Sequence, residues 1–381
     1  MLIARSFESF KTKKLNKMQF RIIFSLCLVT VLTLCVSCTG EPMTEVEPAI
    51  NTPFQELYEQ GIAQYLGEFT PSSSGEVSPG VTEHTFTDME GPICYTGNQF
   101  SMFTRDGSSN QLLIFLQGGG FCAPTACAAV ETGIPLIPFG ILNPSDPQNP
   151  TADYDVGYVP YCDGSGMMGD AEVDSDGDGE NDRFFKGNQN LSASLDVIAR
   201  TYPSPERIVL AGNSAGGFAV HAALPLVRKL YPDVRIDVIN DSGQGIANPG
   251  GMDDLLDYWN AKPFFPESCI NCIGADGNLT DYHAYQLAQD PNIRLAYISS
   301  KQDETYAAIT AGGGPAFEAQ LLEAAAELKA AFPERFNSLI ADGNEHTFIL
   351  SDFGYEIAGT TVRNWVSDML NEGDGWNSLA D

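Results

Sequence analysis

Two glycine turns, each entered from a short apolar run, constrain this chain more than anything else in it. In "ERIVLAGNSAGGFAVHAALPLVRKLYP" the run Ile208 to Ala211 reads as a buried strand. The alanine- and leucine-rich stretch after the glycines reads as a helix with a bend expected at Pro225. Strand, tight turn and helix are the context that G-x-S-x-G needs to lift a serine hydroxyl out of a sheet, so Ser214 is the candidate nucleophile rather than part of an ordinary βα turn. In "QLLIFLQGGGFC" the strand Leu112 to Leu116 runs directly into Gly118, Gly119 and Gly120. Bare main-chain N–H groups in such a loop can face a developing oxyanion, so Gly119 and Gly120, joined by Ala215 after the serine, are the candidate donors. No Lys-Ser/Thr follows these glycines, which argues against a phosphate cradle.

A serine needs a base and an acid that orients the base. The chain holds four histidines. His84 precedes the serine, His221 lies within the helix after it, and His283 falls in the helical "LTDYHAYQLAQ". His346 follows a strand and the turn Asp342-Gly343-Asn344, which is where a late loop would carry the base. The acid is expected just beyond a strand end. Asp303, after Arg294 to Ser299, meets this condition, with its neighbour Glu304 and Asp241 in "VRIDVINDSGQG" as the alternatives.

The segments "FLQGGGFC", "PYCDGSGMMGD", "GNSAGGFAVHAALPLV", "INDSG", "YWN", "ISSKQDETYAAI" and "TTVRNWVSDML" together resemble the pectin acetylesterase/Notum family, in order from about Cys94 to Leu370. The resemblance implies an α/β-hydrolase fold with a mostly parallel central sheet flanked by helices and interrupted by loop insertions. It also implies carboxylic-ester hydrolysis by Ser214, Asp303 and His346. Three positions depart from the family pattern: Gln117 where glutamate is usual, Phe121 where tryptophan is, and Asn213 where cysteine is frequent. These alter the walls of a site and remove no reacting atom.

The first 37 residues differ in kind from the rest. A basic "KTKKLNKMQFR" precedes the apolar "IIFSLCLVTVLTLCVSC", so residues 1–37 read as an export signal, with Met18 as an alternative start. Cys38 after "LCVS" resembles a bacterial lipoprotein box, which would make the product an outer-membrane or cell-surface lipoprotein; simple periplasmic or secreted export is the alternative. Residues 38–80 read as a linker and N-terminal extension, and residues 81–381 as the catalytic domain with an acidic insertion at 170–183. Without residues 1–37 the chain has 14 basic and 49 acidic residues, a formal charge of −35. Such a surface repels nucleic acid, anionic lipid and an unscreened anionic polysaccharide. Six cysteines remain after Cys38, an even number that in an oxidising compartment favours disulfides. The spacing suggests Cys122 with Cys127 and Cys269 with Cys272, leaving Cys94 with Cys162; a redox or zinc role for Cys269 and Cys272 is the alternative.

In "DSDGDGENDR", Asp174, Asp176 and Asp178 alternate, with Gly179 sixth and Asp182 ninth, as in the first half of a calcium loop. Phe185 stands at the twelfth position, so this is no EF-hand; structural calcium and a solvated acidic turn are the two readings. The chemistry itself calls for no cofactor. The expected substrate is an acetylated polysaccharide or another ester. The rivals are a long-chain acyl esterase of the same fold, a non-catalytic glycan-binding lipoprotein, and a calcium-dependent adhesion module.

Overall fold

The computed structural model describes residues 52–246, 250–273, 278–309 and 312–381. Residues 1–37, read above as an export signal, and Cys38 lie outside the described residues. The frame is a ten-stranded sheet. In chain order its strands are β1 (Ser73–Ser78), β2 (Val81–Phe86), β3 (Phe100–Arg105), β4 (Gln111–Leu116), β5 (Asp155–Val159), β6 (Arg207–Asn213), β7 (Arg235–Asp241), β8 (Ile293–Ser300), β9 (Phe336–Ala341) and β10 (Leu379–Ala380). Their spatial order is β1-β2-β3-β5-β4-β6-β7-β8-β9-β10. From β5 to β10 all neighbours are parallel, while β1, β2 and β3 form an antiparallel flank joined to β5.

The sheet is covered on both faces, which explains why its central strands are apolar without interruption. Along β4, Leu112, Ile114 and Leu116 enter one core and Leu113 and Phe115 the other; along β6, Ile208 and Leu210 part from Val209 and Ala211 in the same way. Helices α1 (Gly187–Thr201), α2 (Ala215–Leu230), α3 (Thr280–Gln289) and α5 (Gly313–Ala331) contribute to the first core, and α6 (Val362–Asn371) contributes Trp365, Val366, Met369 and Leu370 to the second. The short α4 (Glu304–Ile309) stands at the end of β8. Helix α2 continues through Pro225, and the carbonyl of that residue accepts from the Tyr58 hydroxyl at 2.7 Å.

The stretch read as a linker belongs to the folded body from residue 52 onward. Phe54, Leu57 and Ile62 are fully buried in the first core, and Ser73–Ser78 forms the edge strand. Its polar sequence "SSGEVS" conceals this, because an edge strand exposed along its whole length has no alternation to read. The insertion at 170–183 is a hairpin, Ala171–Val173 paired with Arg183–Phe185, with the acidic loop at its tip. Disulfides join Cys94 to Cys162, Cys122 to Cys127, and Cys269 to Cys272. Among the described residues no helix is long and apolar enough to cross a membrane.

His221 of α2 and His283 of α3 stack with ring centroids 3.5 Å apart, both buried. His221 Nδ1 meets Gln286 Oε1 at 2.7 Å and its Nε2 meets Asn240 Nδ2 at 3.0 Å, whereas His283 Nε2 has no partner among the described residues. Burial depresses the His221 value to about 4 and lowers that of His283 well below the ordinary imidazole range, the neighbouring His221 adding to the latter. Such rings stabilise the fold fully above their unfolded value near pH 6.5, and that contribution is lost as pH falls toward the folded value, at up to about 1.4 kcal/mol per pH unit for each ring. Buried carboxyls act in the opposite direction, so a single-ring variant isolates the effect. His283→Phe is expected to show a smaller fall in urea midpoint between pH 7 and pH 5 than the parent, and equal falls would refute the assignment.

Candidate active site

Parallel strands end on one side of a sheet, so residues distant in sequence meet at the C-terminal ends of β6, β7, β8 and β9. Ser214 follows β6 with φ 54° and ψ −124°, a conformation that disfavours any non-glycine residue, at a cost of order 1–3 kcal/mol. Two hydrogen bonds hold it there. The Ser214 N–H donates to the Asp241 carbonyl at 2.8 Å, and the Phe218 N–H donates to the Ser214 carbonyl at 3.0 Å as the first turn of α2.

His346 sits on the loop after β9, with Nε2 2.8 Å from Ser214 Oγ. Its Nδ1 lies 2.8 and 2.9 Å from the two oxygens of Asp303, beyond β8. An ionised carboxylate can only accept, so the proton belongs on Nδ1 and the free lone pair of Nε2 faces the serine hydroxyl. Asp303 is wholly buried and also accepts the N–H groups of Thr305 at 3.0 Å and Tyr306 at 3.2 Å, where it opens α4. Tyr306 packs beside the imidazole at 6.2 Å between ring centroids. Glu304 points outward, and its N–H donates to the Asn344 carbonyl at 3.0 Å, tying the acid loop to the histidine turn.

Asp241 has a different task. Its Oδ2 accepts the N–H groups of Phe348 at 2.8 Å and Ile349 at 2.9 Å, immediately past His346. Its Oδ1 is enclosed without a partner among the described residues. Burial pushes this carboxyl up to about 7, against the pull of the two amides and of His346, with Asp303 adding to the rise. The remaining histidines are elsewhere: His221 and His283 in their stack, and His84 on β2 between Ser74 Oγ at 2.8 Å and Thr104 Oγ1 at 2.9 Å.

The glycine loop is fastened to the elbow through Asn213, whose Oδ1 accepts the Gly118 N–H at 3.2 Å. A Cβ on Gly118 would overlap the Asn213 carbonyl and approach Ser214 Cβ to 2.8 Å, so the loop reaches the serine only with glycine there. Among the described residues the N–H groups of Gly119, Gly120 and Ala215 donate to no protein acceptor. Gln117 Oε1 braces the same loop by accepting from Ile134 N at 3.3 Å and Tyr161 N at 3.2 Å. Asp163, in the stretch "YCDG", is buried and accepts from Ser165 N at 2.8 Å, Ser165 Oγ at 2.6 Å and Met167 N at 3.0 Å. It folds the segment whose Gly164 carbonyl receives the Cys122 N–H at 2.8 Å. Phe121 meets Phe218 and Trp259, each at 5.5 Å between centroids, and closes one wall.

A groove of about 350 Å³ opens beside the serine, lined by Gln117, Gly118, Asn213 and Thr347 with an apolar rim. Neither this groove nor a larger concavity of about 620 Å³ around Lys262, Phe265 and Ile270 has Ser214, His346 or Asp303 in its lining, but the groove touches Asn213 and Thr347, the chain neighbours of Ser214 and His346. On the acidic hairpin, one carboxylate oxygen from each of Asp174, Asp176 and Asp178 lies within 4.8 Å of the others. Asp182 is not in that group: its oxygens accept from Ser175 N and Ser175 Oγ, both at 2.8 Å. Asp174 accepts the N–H groups of Gly177 at 2.6 Å and Gly179 at 2.8 Å, so hydrogen bonds of the loop's own hold its shape.

A search of curated proteins gives no match. Residues 81–250 match the family model described as Pectinacetylesterase, a span that covers β2 to β7 with both glycine turns and Ser214. That match supports assignment of the chain to the pectin acetylesterase family, which suggests an esterase of acetyl groups.

Proposed function

We propose that the protein is an exported serine carboxylesterase of α/β-hydrolase fold that removes O-acetyl groups from a polysaccharide. The observation that carries this reading is the unbroken hydrogen-bonded chain from Ser214 Oγ through His346 to Asp303, set beside three main-chain N–H groups with no protein acceptor among the described residues. The family match to residues 81–250 supports the ester chemistry, and the three disulfides fit an oxidising compartment.

In the proposed reaction His346 Nε2 takes the Ser214 proton as Oγ attacks the ester carbonyl carbon. The negative charge that develops on the carbonyl oxygen is met by the amides of Gly119, Gly120 and Ala215. Collapse of the tetrahedral intermediate breaks the bond to the alcohol, and His346 returns the proton to the departing oxygen. Water, deprotonated by the same imidazole, then attacks the acetyl-serine and releases acetate. Asp303 keeps the proton on Nδ1 throughout and stabilises the transient imidazolium. The residues that do this require no cofactor.

Two substitution sets test the scheme. Ser214→Ala is expected to fold with an unchanged circular dichroism spectrum and to lose essentially all release of nitrophenol from p-nitrophenyl acetate; retained turnover would exclude the serine. Asp303→Asn is expected to lower kcat by about a thousandfold or more, because the amide favours the wrong imidazole tautomer. Asp241→Asn keeps an acceptor for Phe348 and Ile349 and is expected to stay within about fivefold of the parent. A reversed order of the two asparagine variants would transfer the orienting role to Asp241.

A further inference from the structure

Two of the three departures from the family pattern, Gln117 and Asn213, line a groove whose walls include the chain neighbours of Gly119, Ser214 and His346. Each lining residue of consequence is a chain neighbour of the machinery: Gly118 precedes Gly119, Asn213 precedes Ser214, and Thr347 follows His346. The amide orientations are fixed by their partners. Gln117 Oε1 must face the N–H groups of Ile134 and Tyr161, and Asn213 Oδ1 must face that of Gly118, so Nε2 and Nδ2 are the ends left over. Neither nitrogen has a protein acceptor among the described residues, and neither is sealed from solvent.

The rest of the groove is uncharged and, apart from Tyr158, Thr347 and Ser351, apolar. Ile134 is 43% exposed, Ile137 42% and Phe139 64%, and these three stand over Leu142 and Leu350 with no acidic or basic side chain in the lining. A surface with amide donors at its floor and aliphatic and aromatic side chains at its rim matches a sugar ring, which has hydroxyls at its edge and C–H faces above and below. An alkyl chain laid there would strip water from both amides and give them nothing in exchange. A carboxylate would lose hydration against a wall that offers no cation, within a chain of formal charge −30 overall. The wall formed by Thr347, Leu350 and Ser351 continues the loop of His346, the residue that must protonate the departing alcohol, so the groove lies on the leaving-group side.

We infer that this groove is the subsite for the sugar that carries the ester, and that it selects a neutral acetylated sugar over an acetylated uronate, with the Gln117 and Asn213 amides donating to its hydroxyls. The inference rests on the esterase reading above. It is tested by kcat/KM for acetate release from acetylated xylan and from acetylated polygalacturonate, both in about 1 M NaCl, where the screening length of about 3 Å removes the effect of overall charge. The parent protein is expected to prefer the xylan by about tenfold or more. Ile137→Lys and Phe139→Lys, both at exposed rim positions, are each expected to reduce that preference by about fivefold or more. The ratio is taken within one protein, so a reduced folded fraction cancels.

Equal cleavage of the two polymers by the parent, or an unchanged ratio in both lysine variants, would overturn the inference. A rise in kcat/KM along p-nitrophenyl esters from acetate to octanoate would also overturn it, by giving the groove to the acyl chain. A parent protein that fails to hydrolyse p-nitrophenyl acetate would instead sink the esterase reading itself.

Discussion

Asp241 holds together the two halves of the site. Its main-chain carbonyl takes the N–H of Ser214 and its carboxylate takes two N–H groups of the loop that carries His346. The serine can therefore occupy a positive-φ conformation while the imidazole stands within hydrogen-bonding distance, although 132 residues separate them. The arrangement depends on the parallel sheet, because β7 lies between β6 and β8, with its last residue Asp241 paired to Asn213 on one side and Ile298 on the other. A buried carboxyl with one unpartnered oxygen is costly, and burial drives its titration up toward neutrality. That the fold retains it indicates that positioning the histidine loop outweighs the cost.

Much of this was legible in the sequence because the informative segments are short and their context is local. The runs before both glycine turns are uninterruptedly apolar, as strands buried on two faces must be, and the structure extends each by one residue at its start and only the second, by two, at its end. Chain order and loop position singled out His346, and the family resemblance favoured Asp303; the structure brings His346 into contact with both Asp303 and Ser214. What the sequence concealed depends on tertiary contact. Asp241 follows a strand as Asp303 does, and nothing local tells which carboxylate will reach an imidazole. The role of Asp163 requires the fold of its own loop, and residues 52–80 are built into the body through Phe54, Leu57 and a polar edge strand that periodicity does not reveal.

Charge and site chemistry point the same way at different scales. The surface is strongly acidic, which disfavours approach by an anionic polymer through space. The groove beside the serine carries no charge of either sign, which disfavours an anionic sugar at contact. Salt screens the first effect and leaves the second, since a group in a desolvated groove is little affected by ions in bulk water. Gln117 sits at the meeting of these arguments: its oxygen braces the glycine loop as a carboxylate could, and its nitrogen supplies a donor that a carboxylate lacks.

The central claim is that the hydroxyl of Ser214 is made nucleophilic by His346. Site mapping by mass spectrometry after treatment with a fluorophosphonate probe tests it most directly, comparing the parent with His346→Ala. The account predicts a single adduct on the peptide that contains Ser214 in the parent and almost none in the variant; an adduct at another residue, or equal labelling of both proteins, would contradict it.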